Sequence, residues 1–273
     1  MRNFAAAVLL TAAPWVSADC QSDVIPWPEG FGDLFGSGIT GDAERIMVGV
    51  PDASLGGFFE HGRVLVSNTD GILVELPMPP QESGLRIGSD VALSDGYAFA
   101  SCTGRTDGFN GNVGGILFWK QMSTGTWSVP QLLSRPDWDD QFFGGYQIAA
   151  SNGVLAVSVP GLVGGFPAGA GAVDLWTVAG SADFQYAGRL SDGSEAGSFF
   201  GASIDLNDSL LVVGAPIAEA GRVHVYDRSG TSFAYRGFLG GNSEGDQFGA
   251  SVFLNGSTLF VGAPRVGAAN VGE

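Results

Sequence analysis

One pattern recurs along the chain and restricts its fold more than any other feature. Phe200-Gly201-Ala202-Ser203-Ile204 is followed by Leu211-Val212-Val213-Gly214-Ala215-Pro216, and Phe248-Gly249-Ala250-Ser251-Val252 by Leu259-Phe260-Val261-Gly262-Ala263-Pro264. In both copies the first glycine and the proline are 15 residues apart. Phe35-Gly36 leads to Val48-Gly49-Val50-Pro51 at the same spacing, and Phe143-Gly144 leads to Val157-Ser158-Val159-Pro160 at 16. The weakest copy begins at Ile87-Gly88 and has Ser101-Cys102-Thr103 where the others read Gly-Ala-Pro. The leading glycines, at 36, 88, 144, 201 and 249, are spaced 52, 56, 57 and 48 residues apart. A fixed period of this size marks one structural unit used several times.

Each unit continues alike. A loop follows the proline, then a glycine opens an alternating apolar segment, as in Gly62-Arg63-Val64-Leu65-Val66 and Gly221-Arg222-Val223-His224-Val225-Tyr226. A fourth segment closes the unit at Leu73 to Leu76, Trp127 to Leu133, Phe184 to Leu190 and Phe233 to Leu239. Four short strands per unit, separated by Gly, Asn, Asp and Ser turns, predict an all-β chain. A lone four-stranded sheet cannot bury both faces, so the units must stack, and this is the sequence form of a β-propeller. The second segment of each unit is almost wholly apolar, as a strand buried on both faces requires. Its small closing residues predict close approach of neighbouring backbones. The Phe before each leading glycine is expected to pack between units. The units lie near 35–84, 87–140, 143–197, 200–245 and 248–273, giving about five blades, the last incomplete. The open last blade leads us to expect that residues 1–273 are the N-terminal part of a longer protein. A ring latched by residues 22–30 as a fourth strand is the alternative.

Phe-Gly, then Gly-Ala-Pro some 15 residues on, then Gly-Arg-Val, resembles the FG-GAP repeat of integrin alpha subunits and of many secreted bacterial proteins. The likeness covers nearly all of residues 31–273 and is most specific at 200–226 and 248–264. It implies a β-propeller with an extracellular, interaction-type role. The calcium loop that many members of that family carry, Asp-x-Asp-x-Asp-Gly, has no counterpart here. The corresponding turns read Asp95-Gly96, Ser151-Asn152-Gly153, Asn207-Asp208-Ser209 and Asn255-Gly256-Ser257. Calcium takes six to eight oxygens, and these turns are poor in carboxylates. We therefore expect no metal site and no cofactor.

The N-terminus reads as an export signal. Arg2 precedes an apolar run from Phe4 to Val16, and Val16-Ser17-Ala18 has the small residues of a cleavage site. The expected layout is a signal peptide at 1–18, an N-terminal segment at 19–30 and the repeat domain at 31–273. Nothing later is long and apolar enough to predict a transmembrane segment. With 28 acidic and 12 basic residues the net charge is −16, which argues against nucleic acid as a partner. Cys20 and Cys102 are the only cysteines. Export to an oxidising compartment makes a Cys20–Cys102 disulfide one expectation, with a buried free thiol at Cys102 as the other.

Candidate binding residues cluster between units. Asp137, Asp139 and Asp140 precede Phe142-Phe143, Asp192 and Glu195 precede Phe199-Phe200, and Glu244 and Asp246 precede Phe248. In an up-and-down blade these loops leave the same rim as the long loops carrying Phe58, Phe59, Phe109 and Phe166. The reading is a secreted propeller that contacts an extracellular protein or glycan through this acidic rim. The alternative is a propeller-type polysaccharide hydrolase or lyase using rim carboxylates. The acids follow the repeat, which favours structure or binding over catalysis, and no catalytic residue is assigned. Gly241-Asn242-Ser243-Glu244-Gly245 matches a serine-hydrolase elbow but is followed by no helix pattern and no histidine. Asn207 and Asn255 begin glycosylation sequons, yet occupy turn positions that call for Asn. His61 and His224 are expected to be partly exposed strand or loop residues.

Overall fold

The computed structural model describes residues 34–42, 44–67, 71–106, 114–133, 147–159, 169–178, 184–193 and 197–265. Every regular element in them is a β-strand. The first sheet comprises β1 (Ile39–Gly41), β2 (Ile46–Val50), β3 (Arg63–Ser67) and β4 (Leu73–Glu75). The second contains β5 (Ile87–Ser94), β6 (Tyr97–Cys102), β7 (Ile116–Lys120) and β8 (Gln131–Leu133). The third contains β9 (Ile148–Ser151), β10 (Val154–Ser158), β11 (Val173–Val178) and β12 (Phe184–Leu190). The fourth contains β13 (Ser203–Leu206), β14 (Leu210–Ala215), β15 (Arg222–Ser229) and β16 (Ser232–Gly240). The fifth, among the described residues, has β17 (Ser251–Asn255) and β18 (Thr258–Gly262). Strands pair in chain order and antiparallel within every sheet.

The expected boundaries hold closely except in the second unit. There the fourth strand was expected from Trp127 but starts at Gln131; Trp127 instead bridges back to Gln121, and residues 121–130 form a long hairpin loop. The segment at 22–30 lies outside the described residues.

Apolar side chains sort into the seams between successive sheets. Met47, Val64 and Val66 meet Val91, Ala98, Ala100 and Trp119 at the first seam. Phe99, Ile116 and Phe118 meet Leu155, Val157, Trp176 and Phe184 at the second. Phe184 lies edge-on to Phe99 and Tyr97 at centroid distances of 5.0 and 5.1 Å, the geometry that ring quadrupoles favour. Phe200, fully buried, packs at the third seam, and Phe248 at the fourth. This is the packing expected between units for Phe200 and Phe248; Phe35 packs within its own unit against Val50, Ala53 and Leu65, and Phe143 lies outside the described residues.

The glycines explain how the sheets come so close. A Cβ on Gly221, before β15, would lie 2.2 Å from the Phe248 carbonyl oxygen of the next sheet. A Cβ on Gly214, in β14, would lie 2.1 Å from the Gly249 carbonyl oxygen. At this joint the Phe248-Gly249 backbone thus nests in a groove that two glycines open in the unit before it, as Ile87-Gly88 does against Gly49 and Gly62. β1 lies against β5, β5 against β9, β9 against β13, and β13 against β17. Residues from all five of these first strands line one cavity of about 270 Å3.

Candidate functional site

The loops between sheets hold the residues that the sequence singled out. Asp137, Asp139, Asp140, Glu195, Phe109, Phe166 and Cys20 lie outside the described residues. Phe58 and Phe59 sit on the β2–β3 loop. A pair of backbone hydrogen bonds between Leu55 and Phe58 closes this loop and leaves Phe59 75% exposed. Arg86 reaches the same loop through Asp52 at 3.0 Å. Glu244 is exposed on the loop before β17.

The two remaining acids turn inward. Asp246 is buried, and its carboxylate accepts the Ser243 backbone N–H at 3.0 Å, which closes the loop that resembled a hydrolase elbow. The Asp192 carboxylate is 4% exposed and lies 3.9 Å from His224 Nε2. His224 is itself buried, against Phe200 at 5.1 Å and beside Tyr235 and Phe238. Burial holds its pKa below the ordinary value, with the Asp192 charge pulling the other way and Arg222 adding to the lowering. His61 is also fully buried; its Nδ1 lies 2.8 Å from the Glu82 carbonyl oxygen and 3.2 Å from the Glu82 backbone nitrogen. The expectation of partly exposed histidines is thereby corrected: His224 is turned inward by strand alternation in β15, and His61 is buried on the loop before β3 against the Glu82 backbone.

Cys102 is buried at the first seam, and burial pushes its thiol up to about 12. No disulfide joins it to any described residue. Groups of three or more potential metal ligands do not occur among the described residues.

Two further arrangements escaped the sequence reading. The first links successive first strands along the cavity that they line. Asp90 Oδ2 accepts the Ile148 N–H of the third sheet at 2.7 Å, Gln147 Oε1 accepts the Ile204 N–H of the fourth at 2.8 Å, and Asp205 Oδ2 accepts the Leu254 N–H of the fifth at 2.6 Å. Burial raises the Asp90 pKa to about 6, against the opposing pull of the Ile148 and Val91 N–H groups, and it raises Asp205 as well. These groups join first strand to first strand.

The second arrangement is a cavity of about 660 Å3 where the first and second sheets meet, at the opposite strand ends from Phe58 and Phe59. Trp127, Gln121, Thr124 and Thr126 come from the long β7–β8 loop, and Arg45, Glu44 and Glu75 from the first sheet. The Arg45 guanidinium donates to Gln121 Oε1 at 2.5 Å, approaches Asp42 at 3.5 Å and lies 5.7 Å from the Trp127 ring centroid. The signal in the sequence was the loop itself: β15 and β16 need only Gly230 and Thr231 to connect, whereas β7 and β8 are joined by residues 121–130.

The chain matches no known protein family's sequence profile and no curated protein.

Proposed function

We propose that the chain is a secreted β-propeller that serves as a binding module for an extracellular glycan or protein. The observation that carries this reading is the convergence of all five first strands on one cavity, with the second, fourth and fifth units nested by backbone contact on the units before them. Such a frame holds its loops rigidly while leaving them free to differ. The exposed Phe58-Phe59 pair, flanked by Glu60 and Arg86, gives the frame an apolar contact surface with charged edges. Among the described residues no helix is long and apolar enough to cross a membrane. The FG-GAP likeness and the export signal in the sequence supply the extracellular setting.

The test is a binding screen of the purified chain against extracellular polysaccharides and secreted proteins by biolayer interferometry. Binding that a Phe58→Ser/Phe59→Ser double variant abolishes supports the reading. Release of new reducing ends or unsaturated sugars in the same mixtures favours the hydrolase or lyase instead, and binding indifferent to the double variant removes this loop from the contact surface.

A further inference from the structure

The cavity between the first and second sheets has the size and lining of a ligand site rather than a packing defect. Its volume of about 660 Å3 lies within the range of roughly 300–1,000 Å3 usual for small-molecule sites. This seam is otherwise closely filled: Trp119 beside it is fully buried, with its indole N–H donating to the Pro77 carbonyl at 2.6 Å.

The chemistry of the walls narrows the occupant. Trp127 gives a flat, half-buried aromatic surface, and Val66, Val74 and Pro77 add apolar area. Around them stand donors and acceptors of several kinds: the Gln121 amide, the Thr124 and Thr126 hydroxyls, and the Glu44 and Glu75 carboxylates. Arg45 is fixed in this wall by three partners, with its side chain only 15% exposed. A group held this way loses little rotamer freedom when a ligand arrives. An anionic ligand is disfavoured, because the single guanidinium already faces Asp42 and two glutamates line the space. A simple cation is disfavoured by Arg45. A ligand with hydroxyls around its edge and apolar C–H groups on its faces satisfies all of these walls together, with its faces on the aromatic ring and its edge on the planar polar groups.

We infer that the cavity lined by Arg45, Glu75, Gln121 and Trp127 is a binding site for a neutral pyranose oligosaccharide. The site stands apart from the Phe58–Phe59 loop, so either can fail without the other.

The experiment is isothermal titration calorimetry of the full chain with neutral tetrasaccharides of β-1,4-glucose, α-1,4-glucose and β-1,4-N-acetylglucosamine. An oligogalacturonate of the same length and an unrelated tetrapeptide serve as comparators. At least one neutral sugar binds, and Trp127→Ala weakens it at least tenfold. Thr124→Trp, at an exposed loop position, fills the cavity without touching the core and weakens binding to a similar extent, while the Phe58→Ser/Phe59→Ser variant leaves it unchanged. The inference is overturned if the folded wild type binds none of the neutral sugars more tightly than about 10 mM. Binding of the galacturonate or the peptide alone also overturns it, as does sugar binding that survives both cavity variants.

Discussion

Replacing Asp90 by Asn changes the charge at the cavity between the first strands while retaining its main hydrogen bond. Asp90 Oδ2 receives the Ile148 N–H, and one sheet along, the neutral amide of Gln147 makes the equivalent bond to Ile204. An amide therefore already works at this position in the repeat. In the folded chain burial lifts Asp90 from 3.8 to about 6. The raised value means that the folded state holds a proton where the unfolded state has lost it. Stability from this group is complete below about pH 4, falls as the pH rises towards 6, and stays lost above that. The gap corresponds to about 3 kcal/mol at full effect, at about 1.4 kcal/mol per pH unit. Asp205 is the other titratable residue lining the cavity, and it is common to both proteins. Asp90→Asn should therefore raise stability at pH 8 by about 2 kcal/mol, or about 4–8 °C in Tm for a domain of this size, and change little at pH 4.5. Thermal melts of both proteins between pH 4.5 and 8 measure this. Parallel pH profiles, or an Asn variant less stable than wild type at pH 8, would refute the reasoning.

Four further outcomes are expected. Arg228→Met loses the guanidinium bonds to the carbonyls of Ser151, Asn152, Asn207 and Gly230, which tie the third sheet's hairpin turn to the fourth, and should lower urea stability by about 2–4 kcal/mol. Gly221→Ala places a Cβ 2.2 Å from the Phe248 backbone at a φ of +91°, and should lose about 3 kcal/mol or more in the same assay, or fail to fold. EDTA should leave the melting midpoint unchanged, since the Asp95 and Asp208 carboxylates of the turns already accept hydrogen bonds from the next sheet or the one before; a drop of several degrees would contradict this. In the native chain Cys102 should resist thiol reagent at pH 8, as peptide mapping of the labelled protein would show, because its thiol is buried and pushed up to about 12; two free thiols after denaturation without reductant would exclude a Cys20–Cys102 bond.

Repeat spacing made the strands legible because each strand must recur wherever its unit does. β12 and β16 lie within a residue of their expected bounds. The weak copies have a physical reason that no single copy reveals. In the fourth and fifth sheets Ser203 and Ser251 sit on the first strand opposite Gly214 and Gly262 on the second. In the second and third sheets the serine changes sides: Ser101 Oγ accepts the Asp90 N–H at 2.8 Å, and Ser158 Oγ accepts the Gln147 N–H at 2.7 Å. One small polar group is kept in each pair, so a glycine lost from the motif marks a swap rather than a decay. The candidate sites were less legible. Asp192 and Asp246 share their exposed-looking loop context with Glu244, and only the fold shows that the first two point inward. The Arg45–Trp127 wall joins residues from two units, a juxtaposition that spacing within one unit cannot express.

The nesting of Phe-Gly against glycine is a contact between main chains. Gly62 meets the Ile87 backbone as Gly221 meets that of Phe248, although the second unit has Ile in place of Phe. A joint of this kind does not depend on side-chain identity outside its few glycines. Substitutions in exposed loops then leave the joint itself untouched. The residues at which this joint tolerates substitution least are then those with no side chain at all.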